Sequence, residues 1–144
     1  MEVRDAAFGN MAPYQWAGST DFDLSYDECG LWLIYATLQN SLDIGLSDRA
    51  LLLSCNAFSV ISKLNMDTLE IETTHRTNWR KQWSGNAFMA CGVLYVLKKY
   101  DEKYTSLNYI YNTHTGMTSE RESSTFHFRM PSWKISSEVL IFYF

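Results

Sequence analysis

The chain lacks a basic footprint. Twelve Lys and Arg stand against sixteen Asp and Glu, a formal charge of −4 over 144 residues, which argues against nucleic acid as a partner. No apolar run approaches the roughly 20 residues that a membrane helix needs, so no membrane span is expected. The first ten residues, MEVRDAAFGN, carry charges of both signs and lack the apolar centre of a signal peptide. Taken alone, such a chain would stay in the cytosol. Cysteine is sparse and scattered. Cys29, Cys55 and Cys91 form no CxxC or Cys/His ligand pattern, and an odd count leaves at least one outside any internal pair. His75, His114 and His127 share no HxH or HExxH spacing, and Ser84 in WSGNAF is not a nucleophile elbow. Structural zinc, a histidine metal centre and a serine hydrolase are therefore all unsupported.

What the chain does have is apolar and aromatic. It is 47% hydrophobic, 15% aromatic and only 19% charged, the balance of a globular chain, and rings at this density favour pleated, half-buried strands. The length suffices for one small domain or for part of a larger one. The segment 31–37 reads as a buried strand, and 60–64 and 69–74 flank the turn-forming tetrad NMDT as a hairpin. AFMACGVLYVL at 87–97 reads as a second buried run. Gly92 in its middle would cost a helix about 1 kcal/mol, so a strand is preferred. Residues 107–111 lead into the turn NTHTG, and 125–129 and 139–144 read as further strands. PYQWAGST at 13–20 reads as a loop or edge segment. No amphipathic helix and no repeat stands out. The class is all-β: a sandwich, a barrel or a propeller.

One stretch concentrates acid. Asp21, Asp23, Asp27 and Glu28 place four carboxylates within eight residues, just ahead of the run LWLIYA. Asp21 and Asp23, two apart, project to the same side of a strand and would suit a hard cation such as Ca²⁺. A solvated acidic turn before a buried strand is the reading the residues alone favour. Cys91, inside an apolar run, reads as a small hydrophobe, and Trp79, Trp83 and the RKQ at 80–82 read as a surface loop.

The wording of three segments narrows this. WAGSTDFDLSYDECGLWLIYAT, VISKLNMDTLEIETT and GNAFMACGVLYVL, in that order, resemble the olfactomedin domain, with its secreted branch most similar. The resemblance implies a five-bladed β-propeller of about 250 residues, secreted or on a cell surface, acting by protein–protein contact in matrix or adhesion and without enzymatic activity. It also implies a Ca²⁺ ion in the central channel. Carried over by motif, Asp23 and Asn86 would be side-chain ligands and Ala87 would supply a carbonyl, with Asp21 lining the same channel.

The copy is partial. The resemblance marks 6–127 as a partial olfactomedin-like domain, with a probable insert at 45–59 and a divergent tail at 128–144. Joining NSLDI to VISKLN across the insert restores the family spacing. Its end, LLLSCNAFS, back-translates to a pyrimidine-rich tract, so intron-derived sequence and a long inter-strand loop are two readings of it. The family's preceding segment, with the cysteine that pairs with Cys91, has no counterpart, which leaves Cys91 unpaired unless Cys29 or Cys55 substitutes. His75 stands where the family has Trp. The second calcium Asp falls near Leu140, with Glu138 the nearest carboxylate. A site lacking one of two carboxylates should bind Ca²⁺ weakly or not at all. The expected partners are extracellular or cell-surface proteins, with oligomerisation through regions of a longer parent. Two rivals remain: a truncated product without autonomous activity, and a calcium-dependent propeller hydrolase using Asp23 or Asp27.

Overall fold

A computed structural model describes residues 22–37, 58–99, 104–120 and 128–129. Two four-stranded antiparallel meanders dominate it. The first runs β1 (Phe22–Asp27), β2 (Gly30–Thr37), β3 (Phe58–Leu64) and β4 (Ile71–Arg80), hydrogen-bonded in that order. After a single 3-10 turn at Lys81–Trp83 come β5 (Asn86–Ala90), β6 (Val93–Leu97) and the short β7 (Tyr104–Thr105). The chain continues through β8 (Leu107–Asn112), β9 (Thr118–Glu120) and β10 (Phe128–Arg129). The second meander is β5-β6-β8-β9, and β7 pairs separately with β10.

Side-chain alternation gives each sheet two faces, and all of them are apolar. Trp32, Ile34, Ile61 and Trp79 of the first sheet pack against Met89, Leu94, Val96, Tyr109 and Tyr111 of the second. Behind the first sheet lie Leu33, Tyr35, Val60 and Leu64; behind the second lie Phe88, Leu97 and Leu107. A two-sheet sandwich turns polar residues outward on both sides. Sheets that are apolar on both faces belong to a stack, as in a propeller, where each blade is covered by its neighbours. The described residues thus form part of a β-propeller, with two successive four-stranded blades whose sheets do not close on one another.

The strand register exposes a repeat that the sequence hides. Leu64 pairs with Leu31 and precedes the turn residue Asn65; Tyr111 pairs with Leu94 and precedes the turn residue Asn112. Both asparagines cap their turns alike. The Asn65 side chain accepts from the amides of Asp67 and Thr68 at 2.9 and 3.0 Å, and that of Asn112 from His114 and Thr115 at 2.9 and 3.2 Å. The two turns share only Asn-x-x-Thr, too little to see by eye. Leu31 and Leu94 lie 63 positions apart and Leu64 and Tyr111 only 47, so the first blade holds 16 more residues between its second and third strands. The surplus falls where the insert at 45–59 was expected. Phe58 and Ser59, assigned to that insert, are the opening residues of β3. The rest of it lies outside the described residues, as do 13–20, 139–144 and Asp21.

Two sequence expectations need correction. The run 87–97 is not one strand but the hairpin β5–β6, turning at Cys91 and Gly92 with φ of 51° and 70°. Two successive positive φ values make the tight turn whose twist matches antiparallel strands. Cys91 consequently sits exposed in a turn and not in the core. Nor do Trp79, Trp83 and the intervening basic residues form a surface loop. Trp79 closes β4 in the inter-sheet core, stacked on Tyr109 at 5.1 Å with its indole N–H donating to Ser84 Oγ at 2.9 Å, and Lys81 is fully buried. Trp83 alone is well exposed, under the Arg80 guanidinium at 4.7 Å.

Candidate functional site

β1 and β5 are the first strands of their blades, and they meet side by side without forming a backbone ladder. β5 is an edge strand, so its outward N–H groups need acceptors from elsewhere. The first blade supplies them from side chains. Ser25 Oγ accepts from Met89 N at 2.9 Å, Glu28 Oε2 from Cys91 N at 3.1 Å, and Asp27 Oδ2 from Gly92 N at 2.7 Å. The separations of 64, 63 and 65 residues along these three bonds are nearly constant, so the strands run parallel in fixed register.

Asp27 is the centre of this junction. Its Oδ1 also accepts from Cys29 N at 2.9 Å and from the Trp32 indole N–H at 2.7 Å. One buried carboxylate therefore closes its own turn, fixes a core tryptophan and ties down the neighbouring hairpin. Sequence reasoning saw Asp27 and Glu28 only as part of an acidic cluster. Asp27 is buried, and Glu28, though exposed, is bonded to the neighbouring hairpin. Bonds from its own amide and from that of Cys91 hold the Glu28 carboxyl below its usual range. The Glu28 charge in turn pushes the Cys91 thiol up.

Gly92 is required here. A Cβ at this position would lie 2.4 Å from His114 Nε2, and its carbonyl accepts from Thr113 Oγ1 at 2.6 Å. His114 also stands 4.0 Å from Cys29 Sγ. Cys29 and Cys91 are both free thiols.

The same register carries the expected metal residues. The spacing that joins Ser25 to Met89 sets Asp23 level with Ala87 and beside Asn86, at the opposite end of the two strands from the turns. Asp23 and Asn86 are both half-buried, and Asp23 Oδ2 is shielded from solvent. Asn86 Oδ1 accepts from Ala87 N at 2.8 Å. Ca²⁺ takes six to eight oxygens, several of them carboxylate. These two strands offer one carboxylate, one amide and backbone carbonyls at that level, and no group of three His, Cys, Asp or Glu suited to a metal occurs among the described residues. Among the described residues that donor set is smaller than the six to eight oxygens Ca²⁺ takes.

Comparison with known proteins agrees with this architecture. The olfactomedin-like domain model matches residues 1–138. The chain belongs to the olfactomedin-like domain family. It is 39% identical over 117 residues to rat myocilin and 40% over 117 to human myocilin, in each case 81% of this chain and 20% of that protein. Dog myocilin is 41% identical over 115 residues, 80% of this chain and 21% of its own length. The olfactomedin-like chain thus spans about a fifth of the length of these relatives. No helix of the described residues is long and apolar enough to cross a membrane.

Proposed function

We propose that the chain is a non-enzymatic, extracellular protein–protein interaction module of the olfactomedin type, serving adhesion or matrix contact, with a degraded calcium site. One observation carries the interaction reading. Phe22, Leu24 and Tyr26 alternate along β1 on the face turned away from the second blade, 55%, 38% and 55% exposed, beside the buried Leu33 and Tyr35. Their counterparts in the second blade, Ala87 and Met89 among them, are covered by the first. An apolar strip of this kind on a propeller edge marks a contact surface. For the hydrolase reading, Asp27 is a poor acid, since its carboxylate is committed to three donors. The test is capture of extracellular ectodomains by the immobilised chain, compared with a Phe22→Lys/Tyr26→Lys variant. Equal capture by both would refute this surface.

The same strip favours one alternative, a truncated product that acts by mis-assembling with full-length relatives. Co-expression with an intact olfactomedin domain distinguishes the two, because mis-assembly requires that domain and ectodomain capture does not. For calcium, Asp23 as the carboxylate among the described residues at that level, with Asn86 and the Ala87 carbonyl, supports weak binding. A calorimetric titration that gave micromolar affinity would overturn the degraded site.

A further inference from the structure

The β1–β2 and β5–β6 turns, 63 residues apart in sequence, each carry one free cysteine at the same end of the blade pair. Cys29 is half-buried and Cys91 exposed. The turns are not merely neighbours. The two oxygens of Asp27 accept from Cys29 N and from Gly92 N, the residue after Cys91. Glu28, the residue before Cys29, accepts from Cys91 N at 3.1 Å. His114 packs over Gly92 and reaches Cys29 Sγ at 4.0 Å. Three turns thus converge on two thiols.

We propose that Cys29 and Cys91 are a redox pair that closes an intramolecular disulfide across the two blades. The oxidant is a low-molecular-weight disulfide of the glutathione class. One cysteine thiolate attacks a sulfur of glutathione disulfide, forming a mixed disulfide and releasing one glutathione thiolate. The other cysteine thiolate then attacks the protein sulfur, expelling the second glutathione. Two S–H bonds are lost and one S–S bond forms. Two electrons and two protons leave with two molecules of glutathione. Bridge geometry needs Cα atoms within about 7 Å, and Cys29 N and Gly92 N bind the two oxygens of one carboxylate, which holds the two turns side by side. The pairing is independent of the interaction reading above, since it concerns the turn end of the blades and no partner.

The test is thiol trapping and peptide mapping of the full chain equilibrated in glutathione buffers of stepped redox ratio. The expected product is a linked Cys29–Cys91 peptide, retained in Cys55→Ser and lost in Cys29→Ser and Cys91→Ser. The same reaction in concentrated urea should give a crosslinked fraction several-fold lower, because the turns no longer hold the thiols together. Circular dichroism of the serine variants confirms that they fold. Three results would overturn the proposal: Cys55 linked to either cysteine, only intermolecular links, or equal crosslinking in urea.

Discussion

Asp27→Asn removes a charge and almost no volume, and the junction between blades should register it sharply. In the native chain Oδ1 accepts two hydrogen bonds and Oδ2 one, in a residue only 7% exposed. An asparagine keeps a carbonyl oxygen for Cys29 N and the Trp32 indole, though as a neutral acceptor. Its amino group then faces Gly92 N, donor against donor. A buried donor left without an acceptor costs about 1–3 kcal/mol, and converting two charge-assisted bonds to neutral ones roughly halves each. The expected loss is about 2–4 kcal/mol, a large share of the roughly 5–15 kcal/mol available to a domain. Asp27→Ala, which orphans all three donors, should cost more. Urea unfolding followed by tryptophan fluorescence reads the loss directly. With a slope of about 2 kcal/mol per molar urea, the midpoint should fall by about 1–2 M. A shift below about 0.3 M would show that Asp27 is solvated, and the account of the junction would be wrong.

Gly92→Ala should destabilise by about 1–3 kcal/mol, from the left-handed backbone and the His114 contact; adding His114→Ala should recover only the contact. Ser84→Ala strands the buried Trp79 indole N–H and should lower stability by about 1–3 kcal/mol in the same assay. His75 lies between the rings of Trp32 and Tyr111, and burial, then the charge of His114, lowers its pKa from the ordinary value of about 6.5. The unfolded chain therefore takes up this proton first as pH falls. The stability linked to His75 should be full above about pH 6.5 and be lost as pH falls through its folded pKa, a slope that His75→Phe removes. Phe22→Lys/Tyr26→Lys should reduce self-association in sedimentation velocity while leaving the unfolding midpoint within about 0.5 kcal/mol.

The fold was legible where the local signal was strong. The continuous run of β2 and the NMDT hairpin between β3 and β4 stand out because apolar alternation and an Asn-led turn each act over a few residues. The β5–β6 hairpin was missed because its turn is Cys-Gly inside an apolar run, where a single Gly gave no warning of two positive φ values. The blade repeat was missed because it survives as register and turn capping, not as shared side chains. At the site, the motif named Asp23 and Asn86, and the register explains why residues so far apart come level. The roles of Asp27 and Glu28 were not readable. Their donors, the amides of Gly92 and Cys91, sit on another blade, and a contact across 65 or 63 residues leaves no periodic trace.

The central claim is that two blades meet through parallel inner strands, with side chains of the first sealing the open edge of the second. Residue-resolved amide hydrogen exchange tests it most directly, because Met89, Cys91 and Gly92 donate to no strand of their own sheet across this edge. The account predicts protected amides at Met89 and Gly92, with protection at Gly92 lost selectively in Asp27→Asn and at Met89 in Ser25→Ala. Fast exchange at these amides in the native chain, with the interior of β6 still protected, would contradict it.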